Sequence, residues 1–268
     1  MRQGGNHDFF EARIADLCRY AETRYECAFG EFLSPGDAAK AKLALTHIPH
    51  DAIPVFFGGY EGSERTRLVI LPAFMEQEDT LDGDCLRHHY PEVAEAAVCA
   101  VRVRGSGFRK LAHKDYLGSV LALGLERDVV GDIVVEDDFS AIVFCDPGIS
   151  SYILQSLTRI GSDAVRTEIM DISSDFKVER QFEEVRDTVA SPRLDCVVAA
   201  LAGLSREKAQ LVIRAEEVDV DYVKEPRVDR QVGEGSIVTI RHKGKFILRS
   251  IGEQTKKGRY RLVADKYI

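Results

Sequence analysis

Apolar residues recur at helical spacing near the start of the chain. This spacing predicts a helix over residues 8–27. A second helix is expected after Ser34-Pro35, because serine caps a helix and proline fits its first turn. Two short apolar runs, Ile53–Phe57 and Arg67–Leu71, predict strands joined by a hairpin connection. The apolar positions of the first helix are Phe9, Ile14, Leu17, Cys18 and Ala21.

The middle of the chain alternates between strand and helix patterns. Around residues 98–104, valines alternate with arginines, which predicts a strand with one apolar side and one basic side. Phe176–Val189 is less regular and is interpreted as an extended or connecting segment. The mixture predicts an α+β unit. Its other expected elements are helices at 116–125 and 150–160 and strands at 132–136, 141–144 and 165–169.

The last part of the chain predicts two helices followed by a small sheet. Ser191 with Pro192 is expected to begin the first helix, and Ser205 to cap the second. On the second helix, residues at four-residue spacing should point away from the core. These are Arg206, Gln210 and Arg214. Apolar runs near 218–220, 237–240, 246–248 and 260–262 supply the predicted strands.

The whole chain of 268 residues is therefore expected to be an α+β protein of three modest parts. An N-terminal α/β domain is predicted over 1–80 and a central α+β domain over 81–187. The third part, over 191–268, has two helices on a small sheet. The boundaries are placed at the acidic stretch Glu76–Asp84 and at Thr188–Pro192.

Charge is distributed unevenly between these parts. The formal net charge is −8, which by itself argues against a nucleic-acid partner. Residues 191–268, however, carry a net +5, and residues 1–190 carry −13. The chain thus combines an acidic body with a basic C-terminal module, and the module reopens the possibility of RNA binding.

Six scattered cysteines without a C-x-x-C pair favour free thiols over disulfides or a zinc site. We find no signal-peptide pattern and no apolar run long enough to span a bilayer. A cytoplasmic protein without membrane insertion is expected.

The C-terminal module resembles the S4 RNA-binding domain. The resemblance rests on Arg193-Leu194-Asp195, Leu204-Ser205-Arg206 and the later run from Val232 to Phe246, and it covers residues 192–248. Two positions depart from the family: Glu216 stands where glycine is usual, and Asp221 where asparagine is usual.

This resemblance, together with the basic hairpin 241–261, predicts an RNA-binding surface. A helix N-terminus such as that at Ser205 offers free N–H groups to a phosphate. A merely solvated basic face is the alternative. The helical half of the predicted surface is Arg193, Ser205, Arg206, Lys208, Gln210 and Arg214, and the strand half is Arg241, Lys243 and Lys245.

Three further strings precede the module in an order that resembles the YlmH family of bacterial S4 proteins. They begin at Phe56, His113 and Gly131. The resemblance implies a non-enzymatic protein that binds ribosomal RNA and tRNA on the large ribosomal subunit. It also implies a role in ribosome-associated quality control of stalled peptidyl-tRNA complexes. No cofactor and a monomer are expected.

A second RNA surface is predicted in the central domain, with an ordinary exposed loop as the alternative. Tyr60 could stack on a base or belong to the core, whereas Phe56 and Phe57 are expected in the core. The candidates for the second surface are Arg102, Arg104, Arg109, Lys110, His113 and Lys114, a run without an acid between its ends.

Two other function classes compete with simple RNA binding. An RNA-modifying enzyme similar to pseudouridine synthases would use Arg193-Leu194-Asp195 for chemistry, but Asp195 at a helix start is expected to be structural. The pair His113 and Asp115 could act as acid and base, although Asp115 suits a cap better. The acidic body could alternatively dock a basic protein partner.

Overall fold

The computed structural model describes residues 4–75, 83–173, 176–178, 182–255 and 258–267. The chain forms two compact units, Met1–Val178 and Glu179–Ile268. Both units mix helices with antiparallel sheets, which confirms the predicted α+β class at that level.

The first part of unit one is a three-stranded antiparallel sheet with the strand order β1-β3-β2. Its helices cover a cluster in which Ile14 and Cys18 meet Leu68 and Ile70. The side chain of Ser34 accepts a hydrogen bond from the backbone N–H of Asp37, which confirms the predicted start of the second helix. The elements are α1 (Gly4–Arg24), β1 (Ala28–Leu33), α2 (Pro35–Leu45), β2 (Ile53–Phe57) and β3 (Thr66–Leu71).

The second part of unit one is a five-stranded antiparallel sheet with the order β5-β6-β4-β8-β7. One face packs under α5 and α6 through Tyr116 and Ile153. The other face shares a core with β2 and β3, where Phe144 contacts the same cluster as Phe57. The elements are α3 (Gly83–His89), α4 (Pro91–Ala97), β4 (Cys99–Gly105), α5 (His113–Leu121), β5 (Val130–Val135), β6 (Ser140–Cys145), α6 (Pro147–Ser156), β7 (Arg159–Ile160) and β8 (Asp163–Met170).

The connection between β2 and β3 joins the two sheets of unit one. Its Tyr60 hydroxyl donates to Asp132 on β5 at 2.8 Å, and the Arg65 backbone N–H donates to the same carboxylate at 3.1 Å. Tyr60 is buried against the rings of Phe144 and Phe176. Tyr60 is therefore a core residue and is not available to stack on a base. The sequence strings that begin at Phe56 and Gly131 are joined by these hydrogen bonds and have a structural role.

Buried Arg67 on β3 forms the second connection. It donates to the backbone oxygens of Gly30 and Ala97, each at 2.7 Å, and pairs with Asp146 at 2.9 Å. Burial lowers the pKa of Arg67, although Asp146 opposes that shift. One side chain therefore ties β1, α4 and the end of β6 together.

Unit two has two helices packed on a six-stranded antiparallel sheet with the order β11-β10-β12-β13-β14-β9. Its core is a single apolar cluster that includes Leu194, Ile213, Phe246 and Leu248. The elements are β9 (Phe182–Val189), α7 (Leu194–Ala202), α8 (Arg206–Arg214), β10 (Val218–Val220), β11 (Val223–Lys224), β12 (Ile237–Ile240), β13 (Gly244–Gln254) and β14 (Tyr260–Tyr267).

The structure differs from the predicted layout in two places. The segment interpreted as extended or connecting contains β9, which pairs with β14 along its whole length, and residues 182–187 lie in unit two. Helix α7 begins at Leu194, and the Ser191 hydroxyl contacts the Cys196 sulfur instead of capping it. The predicted boundary after residue 80 falls at residues 76–82, outside those the structure describes.

Unit one contains both of the sheets that precede residue 178. The N-terminal sheet and the five-stranded sheet share buried residues, and both belong to the same compact unit. Their behaviour as separate domains over 1–80 and 81–187 stays a prediction.

All six cysteines are free. Among the described residues, no helix is long and apolar enough to cross a membrane. Within that same part of the chain, His, Cys, Asp and Glu side chains do not gather in threes as a metal site requires.

We expect Arg67→Met to lower the free energy of unfolding of unit one by about 2–6 kcal/mol. The reason is that one part-buried carbonyl, that of Gly30, and one buried carbonyl, that of Ala97, lose their donor, at about 1–3 kcal/mol each. Hydrogen exchange of β1–β3 peptides across a urea series measures this unit separately. Arg13→Met is the control, because the exposed pair of Arg13 with Glu31 contributes only about 0–1 kcal/mol. Equal effects of the two variants would contradict the role of Arg67.

Candidate RNA-binding surfaces

A fully buried carboxylate organises the helical half of the predicted surface. Asp195 lies in the first turn of α7. Its Oδ2 accepts hydrogen bonds from Arg206 Nε and Gln210 Nε2, both at 2.9 Å. Arg193 Nε donates to the other oxygen, Oδ1, at 3.2 Å. Three of the predicted RNA contacts therefore converge on one buried acid.

These contacts correct the prediction that Arg206 and Gln210 simply point away from the core. Both reach back from α8 to α7, because a buried carboxylate requires donors on its oxygens. The Arg206 side chain still keeps 53% of its surface exposed, so the outer edge of its guanidinium faces solvent. The hydrogen bond to Asp195 thus fixes the direction of the Arg206 side chain, which remains accessible.

Asp195 stays ionised far into the acid range. Burial alone would raise the pKa of its carboxyl, but the hydrogen bonds from Arg193, Gln210 and Arg206 outweigh burial and hold the pKa well below its usual value. The same carboxylate, with every oxygen occupied, is a structural group and not an accessible nucleophile.

The N-terminus of α7 is closed by the chain itself. The backbone N–H groups of Leu194 and Asp195 donate to the carbonyls of Arg230 and Val228, at 2.8 and 3.0 Å. This loop takes the place that a phosphate would occupy at an open helix end. The N-terminus of α8 is different, because Ser205 caps it by accepting from Lys208 N at 3.3 Å and lies exposed, as predicted.

The same loop carries two arginines that the sequence analysis missed. Buried Glu225 accepts from Arg227 Nε at 3.0 Å and from Arg230 Nη1 at 2.8 Å. These bonds, that from Arg227 first, lower the pKa of Glu225 to about 2. The dense run of acids and arginines from Glu225 to Arg230 was the signal that could have drawn attention to them.

The strand half of the predicted surface lies at the connection between β12 and β13. Arg241 and Lys243 occupy the turn itself, so they are turn residues and not strand residues. Arg241 also bonds through its backbone N–H to the carbonyl of Glu217, just beyond α8, at 3.0 Å. The turn is thereby attached to the end of α8 that carries exposed Arg214.

Lys245 has a distinct environment on β13. Its Nζ lies 4.8 Å from the centre of the Tyr222 ring and 4.3 Å from that of Tyr267. Such cation–π contacts hold the ammonium group between two rings. Sequence reasoning missed both tyrosines, since they come from separate parts of the sheet and share no local motif with Lys245.

The two unusual positions of this module have a backbone explanation. Glu216 and Asp221 both adopt left-handed backbone conformations, with φ of 55° and 51°. Glycine and asparagine tolerate that region better than glutamate and aspartate do. Glycine and asparagine are thus the residue types that these two turns favour.

The predicted second surface in unit one is divided among acids. Arg102 pairs with Glu136 at 2.9 Å, Arg109 with Asp115 at 3.3 Å, and Lys110 is also held by an acid. Arg104 lies 4.0 Å from Glu168. His113 and Lys114 begin α5, where exposed side chains face solvent.

Asp115 has a structural role at this helix. Its carboxylate accepts from the backbone N–H of Ala112 at 2.9 Å, so it closes the start of α5 as the sequence analysis favoured. Because the same carboxylate pairs with Arg109, it also positions one of the predicted RNA contacts.

We expect acidification from pH 5 to pH 3 to destabilise unit two, and Asp195→Asn to reduce this pH dependence. A depressed folded-state pKa contributes stability above the unfolded value of about 4, and that stability is lost as pH falls towards the folded value. At pH 5 the Asp195→Asn variant should be less stable than the original protein, and its stability should fall less between pH 5 and pH 3. Hydrogen exchange of α7 peptides in urea measures it, and Asp229→Asn, on the exposed part of the same loop, should decline like the original protein. An unchanged pH profile for Asp195→Asn would refute the assignment.

Comparison with known proteins gives the family context of this geometry. A family model described as a putative RNA-binding domain in YlmH matches residues 91–174, which lie within unit one. Ribosome-associated protein quality control protein P2 from Bacillus subtilis (strain 168) is 29% identical over 251 residues, covering 92% of this chain and 90% of that protein. The solved structure of cell division protein ylmH from Streptococcus pneumoniae is 18% identical, with a TM-score of 0.47. It covers 66% of this chain and 98% of its own. The chain is thus similar to YlmH-type RNA-binding proteins, as its sequence strings predicted.

Proposed function

We propose that this protein binds RNA on the large ribosomal subunit, contacting ribosomal RNA and tRNA, without an enzymatic step or a cofactor. We propose further that it acts on stalled peptidyl-tRNA complexes in ribosome-associated quality control, as a cytoplasmic monomer. The match of residues 91–174 to an RNA-binding domain and the name of the Bacillus subtilis relative support the proposal.

The observation that carries the proposal is the set of half-exposed arginines fixed by buried carboxylates in unit two. Arg193 and Arg206 are held by Asp195, while Arg227 and Arg230 are held by Glu225. A guanidinium has five N–H donors, so an arginine that spends two on a carboxylate keeps donors for a phosphate. Preorganised arginines also lose less side-chain entropy when RNA binds.

The connection of α7 to the 225–231 loop makes these two groups one surface. The loop carbonyls bond to the first N–H groups of α7, and Arg193 forms an isolated β-bridge with Gln231. We also propose that unit two is an S4 domain. The surface would then extend to exposed Lys208 and Arg214 on α8 and to the turn at Arg241 and Lys243.

We expect Lys208→Ala with Arg214→Ala to weaken binding to large ribosomal subunits and to reduce its salt dependence. Two lost phosphate contacts should lower the slope of log K against log salt by about 1.4–1.8. Both side chains are exposed, and among the described residues neither pairs with Asp195 or Glu225, so the fold should persist. Sedimentation with free large subunits and with intact ribosomes across a salt series measures the effect.

The matched control removes two exposed cations from unit one, Arg19→Ala with Lys40→Ala. Each of these pairs with a neighbouring acid on its own helix. This control should retain the affinity and slope of the original protein. If both double variants behave like the original protein, the surface on unit two is wrongly placed.

An RNA-modifying enzyme that uses unit two as a substrate clamp is the alternative function. The burial of Asp195 and the occupation of its oxygens disfavour a reaction at that carboxylate. Mapping modified nucleotides after incubation with ribosomal RNA decides between the two. A new, reproducible modification would overturn the proposal of binding alone.

A further inference from the structure

One aromatic side chain in the RNA-binding segment of unit one is almost completely exposed. Phe108 keeps 97% of its surface accessible, more than any other large apolar side chain in the described part of the chain. It lies in the loop 105–112 between β4 and α5. Burying a phenylalanine side chain is favourable, and in this position that free energy is left unused.

The loop holds Phe108 in this position from both sides. Before it, the Gly105 N–H donates to the carbonyl of Phe139 at 2.7 Å, and Ser106 bonds to nearly buried Asp163 through its N–H and its hydroxyl. After it, Leu111 is buried, and its N–H donates to the carbonyl of Asp138 at 2.8 Å. A short loop anchored at both ends loses little entropy on binding.

Two glycines in the loop are consistent with the exposed position of Phe108. A side chain on Gly105 would come within 2.7 Å of Asp163, and Gly107 has a φ of 89°, which other residues rarely adopt. Because Gly105 has no side chain, Asp163 can lie close to the loop. Gly107 allows the chain to bend immediately before Phe108.

Phe108 is followed by two basic residues that pair with acids. Arg109 and Lys110 keep 48% and 77% of their side-chain surface exposed. Lys110 pairs with exposed Asp138, and such surface pairs contribute little to stability. A phosphate can therefore compete with Asp138 for Lys110 at little cost, while Arg109 keeps further N–H donors beside its bond to Asp115.

Two like charges occupy opposed positions on the adjoining sheet, although Glu168 also lies 4.0 Å from Arg104. Arg104 on β4 lies directly opposite Arg166 on β8, and both are exposed. Like charges in directly opposed positions destabilise a sheet. An anionic ligand near the end of β4 would relieve that repulsion.

We propose that the loop 105–112 binds single-stranded RNA, with Phe108 stacked on an unpaired base and Arg109 and Lys110 on the flanking phosphates. The inference rests on the proposed function and specifies which RNA element unit one recognises. Stacking suits an unpaired base because each base offers a flat face, whereas a paired helix hides it. A docking site for an apolar protein segment is the competing reading, which the test below separates.

The test compares Phe108→Ala, Phe108→Leu and Phe108→Tyr in the full chain. The probes are an RNA hairpin with 2-aminopurine in its unpaired loop and a fully paired duplex of the same stem. Alanine should weaken hairpin binding by about 5- to 150-fold, the range that stacking one base on an aromatic ring gives, and should leave duplex binding unchanged. Leucine should behave like alanine, and tyrosine should restore both affinity and the change in 2-aminopurine fluorescence.

Controls make each failure distinct. Phe74→Ala removes another exposed phenylalanine of unit one and should leave the affinity for both the hairpin and the duplex unchanged. Wild-type affinity for Phe108→Leu would overturn stacking and favour an apolar contact, and unchanged binding by Phe108→Ala would overturn the inference altogether. If Lys208→Ala with Arg214→Ala weakens binding in the same assay while Phe108→Ala does not, only this inference fails. If the original protein binds neither RNA nor large subunits, the proposed function itself fails.

Discussion

A carboxylate without water contact must be satisfied by donors from the protein, and in unit two this requirement falls on Asp195. Its oxygens draw Arg193, Arg206 and Gln210 inward from two helices, and so set the packing of α7 on α8. Removing one partner from a buried charge costs several kcal/mol, whereas adding an exposed pair contributes little. The geometry of the basic surface is therefore a consequence of how one acid is buried.

This constraint separates the basic residues of unit two into two kinds. Arginines tied to Asp195 and Glu225 have fixed directions and act as a rigid frame. Exposed cations such as Lys208 and Arg214 add charge without fixed geometry. A phosphate backbone needs both kinds, because contacts to fixed donors set the register of RNA while mobile charges contribute affinity that depends on salt.

Much of the fold could be predicted from the sequence, because many of its helices and strands are indicated by local sequence patterns. The Ser34 and Ser205 caps and the alternating valines and arginines of β4 follow from spacing alone. The pairing of β9 with β14 could not be predicted, because it joins residues far apart in the chain and the polar face of β9 lacks strict alternation. Partners of buried charges are equally non-local: Asp195 meets α8, and Lys245 meets two distant tyrosines.

On the proposed function, the distribution of acids offers a physical route to selective RNA binding by a protein with net charge −8. In unit one, each acid beside a basic candidate, such as Glu136 beside Arg102, cancels its long-range attraction for phosphates. Cancelled charges suppress non-specific adhesion, yet at short range an exposed pair opens at little cost. On the proposed function, unit one would engage RNA where a contact other than charge accompanies the phosphate, and an exposed aromatic ring is such a contact. The acidic body would then favour recognition of RNA shape over attraction by charge alone.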